Sequence, residues 1–117
     1  MAALGVGREE GQGPDARITI SVDPDTGNFT YTPTHIRVVF TDVKTSCVLE
    51  FKTPNDEPFE VMFKDRTPGN KMHLNERDRD LTITNETPAG LYPYAAALSV
   101  KGRTFIDVGC GDISVAK

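Results

Sequence analysis

Apolar and polar residues take turns along most of the chain. Ile18, Ile20 and Val22 fall on one side of an extended segment, with Thr19 and Ser21 on the other. This period of two is the signature of a half-buried strand. It returns in Phe29 and Tyr31, in Ile36, Val38 and Phe40, in Cys47, Leu49 and Phe51, and in Phe59, Val61 and Phe63. After a gap it resumes at Leu81 and Ile83, through the long run Tyr92 to Val100, then at Phe105 to Cys110 and Ile113 to Val115. Each apolar set is the expected inner face of a strand. No window repeats apolar residues at helical spacing over three turns.

Turn chemistry separates these runs. In residues 23–28 (DPDTGN), Pro24 presets one turn dihedral and Gly27 accepts a positive φ, which predicts a hairpin. Residues 53–58 read as a loop, and residues 86–90 and 101–102 as turns. Pro33 interrupts a strand run and predicts a bend or a sheet edge, because it cannot donate to a ladder. Gly109 and Gly111 break up the final run. Residues 65–80 are the least regular part, with residues 71–80 read as one or two helical turns. Short strands at about ten-residue spacing with turn signals between them predict an all-β fold, a Greek-key β-sandwich of seven to nine strands. Residues 1–15 are small, Gly-rich and without period, and are expected to be a flexible N-terminal tail. Residues 16–117 are expected to form a single β-sandwich domain.

Composition narrows the function classes. A chain of 117 residues suits one domain. Its net charge of −4 supplies no basic face, which argues against nucleic acid as a partner. No apolar run approaches the roughly 18 residues of a membrane span. The first ten residues lack a basic stretch followed by an apolar one, so a cytoplasmic location is expected, or a periplasmic or secreted one if a leader has been removed. The sequons Asn28-Phe29-Thr30 and Asn85-Glu86-Thr87 would matter only in the secreted case.

The order of several pieces carries a resemblance. Residues 31–40 (YTPTHIRVVF) join a Pro to an alternating strand, followed by residues 47–51 (CVLEF) and 59–63 (FEVMF). Late in the chain come residues 88–98 (PAGLYPYAAAL) and a last strand, residues 112–115 (DISV). Over residues 16–117 this order resembles the cupredoxin-like β-sandwich family, with an immunoglobulin-like domain as the alternative. The absence of Trp removes one hallmark of antibody-type domains. The resemblance implies a first copper-binding imidazole at position 59, a thiolate at 96 and a second imidazole between 99 and 101. Those places hold Phe59, Ala96, Ser99, Val100 and Lys101. A blue-copper site needs two imidazoles and a thiolate, so no type-1 copper site and no cofactor are expected.

Other chemistry is thinly supplied. His35, Cys47, Met62, Met72, His73 and Cys110 are the available soft ligands, and none makes a Cys-x-x-Cys or His-x-x-x-His pair. The alternative function is therefore a metal-handling protein of cupredoxin ancestry with a site rebuilt from His35, Cys47, His73 and Cys110. Cys47 and Cys110 sit in apolar runs and are expected as buried free thiols, with a disulfide between them as the alternative. Asp23, Asp25 and Gly27 have the spacing of the first calcium-loop ligands, but Thr34 stands where the closing Glu belongs. Cys110 and Ser114 are the nearest candidates for a nucleophile. No nucleophile elbow or phosphate loop accompanies them, and no enzyme is expected. Tyr92 and Tyr94 could stack on a sugar but are expected in the core.

The principal expectation is a non-enzymatic binding module that takes an unknown protein or small ligand. Long loops on rigid scaffolds are frequent binding elements, so Arg66, Lys71, His73, Arg77 and Arg79 form the expected interaction loop. A structural subunit that pairs through its edge strands is a further possibility.

Overall fold

Most of the alternating runs become strands with their apolar sets inside. The computed structural model describes residues 2–5, 14–43 and 45–116, and of residues 2–5 and 108–110 the backbone alone. The strands are β1 (Ala2–Gly5), β2 (Ala16–Val22), β3 (Phe29–Thr32), β4 (His35–Val39), β5 (Ser46–Lys52), β6 (Phe59–Phe63), β7 (His73–Asn75), β8 (Asp80–Thr84), β9 (Gly90–Val100) and β10 (Arg103–Ala116). There is no helix among the described residues, so none long and apolar enough to cross a membrane.

Two mixed sheets share these strands. One has six strands in the order β1-β4-β10-β9-β6-β7, the other four in the order β3-β2-β5-β8. Pairs β1/β4, β10/β4 and β2/β5 run parallel and the remaining pairs antiparallel. The sheets face each other across one core, to which Ile18, Leu49, Phe51 and Ile83 come from the smaller sheet and Val61, Tyr92, Leu98 and Ile113 from the larger. This is a β-sandwich.

Pro33 lies where the chain leaves the smaller sheet after β3 and enters the larger at β4. A residue with no N–H can be spared from a ladder at such a crossing. Residues 23–28 close the β2–β3 hairpin. Gly27 has φ 77° and its N–H bonds to Asp23 O at 2.7 Å. The Asp23 carboxylate accepts from the Asp25 N–H, an ordinary turn contact. Lys101 and Gly102 both have positive φ, 52° and 76°, which makes the two-residue turn whose twist suits a β9–β10 hairpin.

The structure departs from the sequence expectations in four places. Ten strands form among the described residues where seven to nine were expected. Within residues 1–15, read as a tail, Ala2–Gly5 runs as β1 beside β4. Residues 71–80 hold strand β7 and a turn instead of a helical turn. The final run is also one strand: β10 passes through Gly109 and Gly111 and absorbs them as a register shift between Asp107 and Gly111.

Residues 67–70 lie along the free edge of β8. The Asn70 N–H donates to Thr82 O at 3.1 Å, and Asn70 Oδ1 accepts from the Thr82 N–H at 3.0 Å. Thr87 Oγ1 donates to Pro68 O at 2.6 Å. An edge strand presents unpaired backbone groups, and here a strap of the same chain satisfies them.

Candidate functional site

The cations of the expected interaction loop are dispersed and mostly engaged within the fold. Arg66 stacks its guanidinium over the Tyr92 ring, 4.4 Å from the centroid. Lys71 Nζ is held by the Asp78 carboxylate and Asp80 O. His73 meets Glu60 at 3.3 Å, and Arg79 lies 3.8 Å from Glu50 and 3.9 Å from Asp56. Arg77 is exposed, with its backbone N–H on Asn75 Oδ1. Exposed pairs of this kind are each worth under about 1 kcal/mol. Together with the strap they fasten residues 65–80 to both sheets, and they leave no single cationic face among the five residues.

Of the residues of the rebuilt metal site, His35, Cys47 and His73 are not brought together. His35 and His73 lie on the outer face of the larger sheet, on β4 and β7, with β10, β9 and β6 between them. At the usual strand spacing that is about 19 Å. His35 Nδ1 is bonded to the Asp112 carboxylate. Cys47 belongs to the other sheet and is fully buried, a free thiol whose pKa burial pushes up to about 12, with the Asp15 carboxylate adding to the shift. A thiol held protonated is a poor nucleophile and a poor ligand. The Cys110 side chain lies outside the described residues. Among the described residues no three His, Cys, Asp or Glu side chains cluster as a metal group.

Phe59 and Ala96, the positions that the resemblance assigns to an imidazole and the thiolate, are near neighbours. Phe59 lies opposite Leu98 and Ala96 opposite Val61, so the two sit diagonally on the inner face of β6 and β9. Both are buried and neither carries a donor atom.

Tyr92 and Tyr94 fill the core as expected, but their hydroxyls differ. Tyr92 OH donates to Pro88 O, four residues upstream, and ties the start of β9 to the turn before it. Tyr94 packs edge-on against Tyr31, Phe51 and Phe63, and its buried OH has no hydrogen-bond partner among the described residues. Burial raises its pKa, and the Asp112 carboxylate adds to the rise. Leaving a hydroxyl buried and unpaired costs about 1–3 kcal/mol, and a made bond contributes about 1 kcal/mol. Tyr92→Phe is therefore expected to lower the urea midpoint, while Tyr94→Phe holds or raises it. Equal losses from both would mean that Tyr94 OH is satisfied.

The surface that sequence reasoning missed is the outer face of the larger sheet. Outward positions on a half-exposed sheet are ordinarily polar. Here they include Pro93, Ala95 and Ala97 on β9, Met62 on β6 and Ile106 on β10. Met62 is 55% exposed and Ile106 72%. These two large side chains wall a shallow apolar groove floored by Ala95 and Ala97, with Glu60 at its border. The groove runs into a recess of about 310 Å3 lined by Pro58, Glu60, Glu76, Ser99 and Thr104. There Glu76 accepts from the Phe59 N–H at 3.3 Å. The signal was present in residues 93–97 (PYAAA), where the outward places hold no polar residue.

No family model, curated protein or solved structure matches this chain.

Proposed function

We propose that this chain is a non-enzymatic binding module on a cupredoxin-like sandwich, and that it engages a protein through the outer face of its larger sheet. The carrying observation is the groove between Met62 and Ile106 over Ala95 and Ala97. Singly scattered apolar residues on a surface need no explanation, but a contiguous patch rimmed by charge is the usual mark of an interaction site. Glu60 and Lys64 supply that rim. The loop cations are the weaker candidates, since Arg66, Lys71, His73 and Arg79 already have partners inside the fold.

The finer fold reading has its own support. The sandwich crosses from one sheet to the other at Pro33, and its final strand lies between β4 and β9. The Tyr92 bond to Pro88 has the form of the tyrosine corner found where Greek-key strands turn. Phe59 and Ala96 occupy the assigned ligand places with packing atoms, so the module works without copper.

Methionine oxidation tests the binding face. Met62 and Met72 are both accessible, at 55% and 46%. Met72 precedes β7, off the groove, and serves as the internal reference. Under dilute peroxide Met62 is expected to be protected relative to Met72 when the protein's partner is present, and Ile106→Lys is expected to abolish that protection. Equal oxidation of the two under every condition, including concentrated protein and cell extract, would remove the proposal.

A further inference from the structure

The ladder register fixes what stands beside what on the outer face. Ile106, Ala97 and Glu60 share one row across β10, β9 and β6. Ala95 and Met62 share the next. Lys64, one residue past β6, bonds through its N–H to Pro93 O at 3.2 Å and so continues the row of Pro93. Glu60 and Lys64 therefore flank Met62 symmetrically, two residues to either side, with opposite charge. Both are exposed.

Resting on the reading of this face as an interface, we propose that its occupant is a second copy of the chain, stacked antiparallel about a two-fold axis through the row of Met62 and Ala95. A two-fold contact is self-complementary, and each pairing across it occurs twice. An axis through that row places Glu60 of each copy over Lys64 of the other. It also sets Pro93 over the low surface left by Ala97, lays Ile106 against Asp112, whose carboxylate His35 already holds, and brings the two Met62 side chains together at the centre. The lysine head arrives at the recess that holds Glu60 and Glu76, whose carboxylates meet His73 and the Phe59 N–H. A two-fold axis running along β6 would instead set Glu60 on Glu60 and Lys64 on Lys64, so charge favours the axis across the strands over that one.

Area bounds the size class of the contact. Four strands about 4.8 Å apart and four rows about 6.8 Å apart give roughly 500 Å2 per copy. The total of about 1,000 Å2 stands at the lower limit for a specific pair. The dimer is accordingly weak and reversible.

Sedimentation equilibrium of the purified protein from about 1 µM to about 1 mM reads this directly. Met62→Glu is expected to weaken the dimer by at least about tenfold, because two like charges meet on the axis. Glu60→Lys and Lys64→Glu are each expected to weaken it about tenfold, and the double swap to return it to within about threefold of the starting protein. All three positions are exposed, and unchanged melting temperatures confirm that the variants are folded. A monomer at every concentration overturns the proposal, as does a dimer indifferent to Met62→Glu or a double swap no better than its parts. If the protein stays monomeric while Met62 is protected only by another protein, self-pairing fails and the binding-face reading stands. If Met62 is protected nowhere, both fail.

Discussion

Replacing Gly111 by alanine is expected to lower the melting temperature by about 10 °C or more. Gly111 lies on β10 directly opposite Tyr94 of β9, and both are buried. A Cβ built at Gly111 would overlap the ring edge and hydroxyl of Tyr94, far inside the 3.0 Å that real Cβ atoms respect. The ring cannot swing aside, because Tyr31, Phe51 and Phe63 hold it edge-on from three directions. The added methyl must therefore push β10 off β9 at the register shift. Overpacking a rigid core costs about 1–3 kcal/mol and occasionally more, and the multiple overlaps here argue for the top of that range. In a domain of this size each kcal/mol is worth about 4 °C. A smaller partner identifies the cause. Tyr94→Leu is destabilising alone, but combined with Gly111→Ala it should cost at least about 1.5 kcal/mol less than the sum of the two. Additive losses in thermal or urea unfolding would show that the clash with Tyr94 is not what excludes a side chain at position 111.

That requirement was invisible in the sequence, where Gly111 reads as a strand breaker. What the sequence showed well was everything governed by a period. Most of the inward sets from Ile18 to Val115 are buried, with Val22, Phe29 and Val100 half-buried against them, because alternation is a local property that survives folding. Turns were equally legible at Gly27 and Gly102, where the need for positive φ names the residue. The short elements were not. In β7 a single inward residue, Leu74, leaves no period to detect, and the small residues of Ala2–Gly5 give no contrast between two faces. The candidate site was hidden for a different reason. Attention to alternation rewards the inward residue and passes over the outward one, so Tyr92, Tyr94 and Leu98 drew notice while Ala95 and Ala97 between them did not. The groove also needs Met62 and Ile106, which come from strands distant in the chain and meet only through the ladders. The loop cations misled because their partners are just as remote. Arg66 finds Tyr92, and Arg79 finds Glu50 and Asp56.

Gly69→Ala will show what the long connection between β6 and β8 is for. A Cβ at Gly69 would stand 2.6 Å from Thr82 O and 2.8 Å from the Leu81 side chain. The first of these is backbone in a paired strand and cannot yield. Accommodating the methyl means lifting the strap, which breaks the two Asn70 bonds to Thr82 and strains the Thr87 bond to Pro68. The loss is expected at about 2 kcal/mol, combining overpacking with backbone groups left short of partners. Two further signs should accompany it. The Thr82 amide should exchange with solvent at least about tenfold faster, because its acceptor has moved away. The protein should also scatter light on standing, since an uncovered β8 edge invites pairing with other chains. Gly27→Ala is the control: its positive φ costs about 1 kcal/mol, but a Cβ there meets nothing within 4 Å and touches no edge. If Gly69→Ala loses no more stability than Gly27→Ala and Thr82 stays protected, the strap is not holding the edge. If the expected result is found, deleting residues 66–79 cannot serve as a test of binding, because the same deletion removes β7 and uncovers β8. Binding must then be probed by single outward substitutions such as Ile106→Lys, which leave every ladder in place.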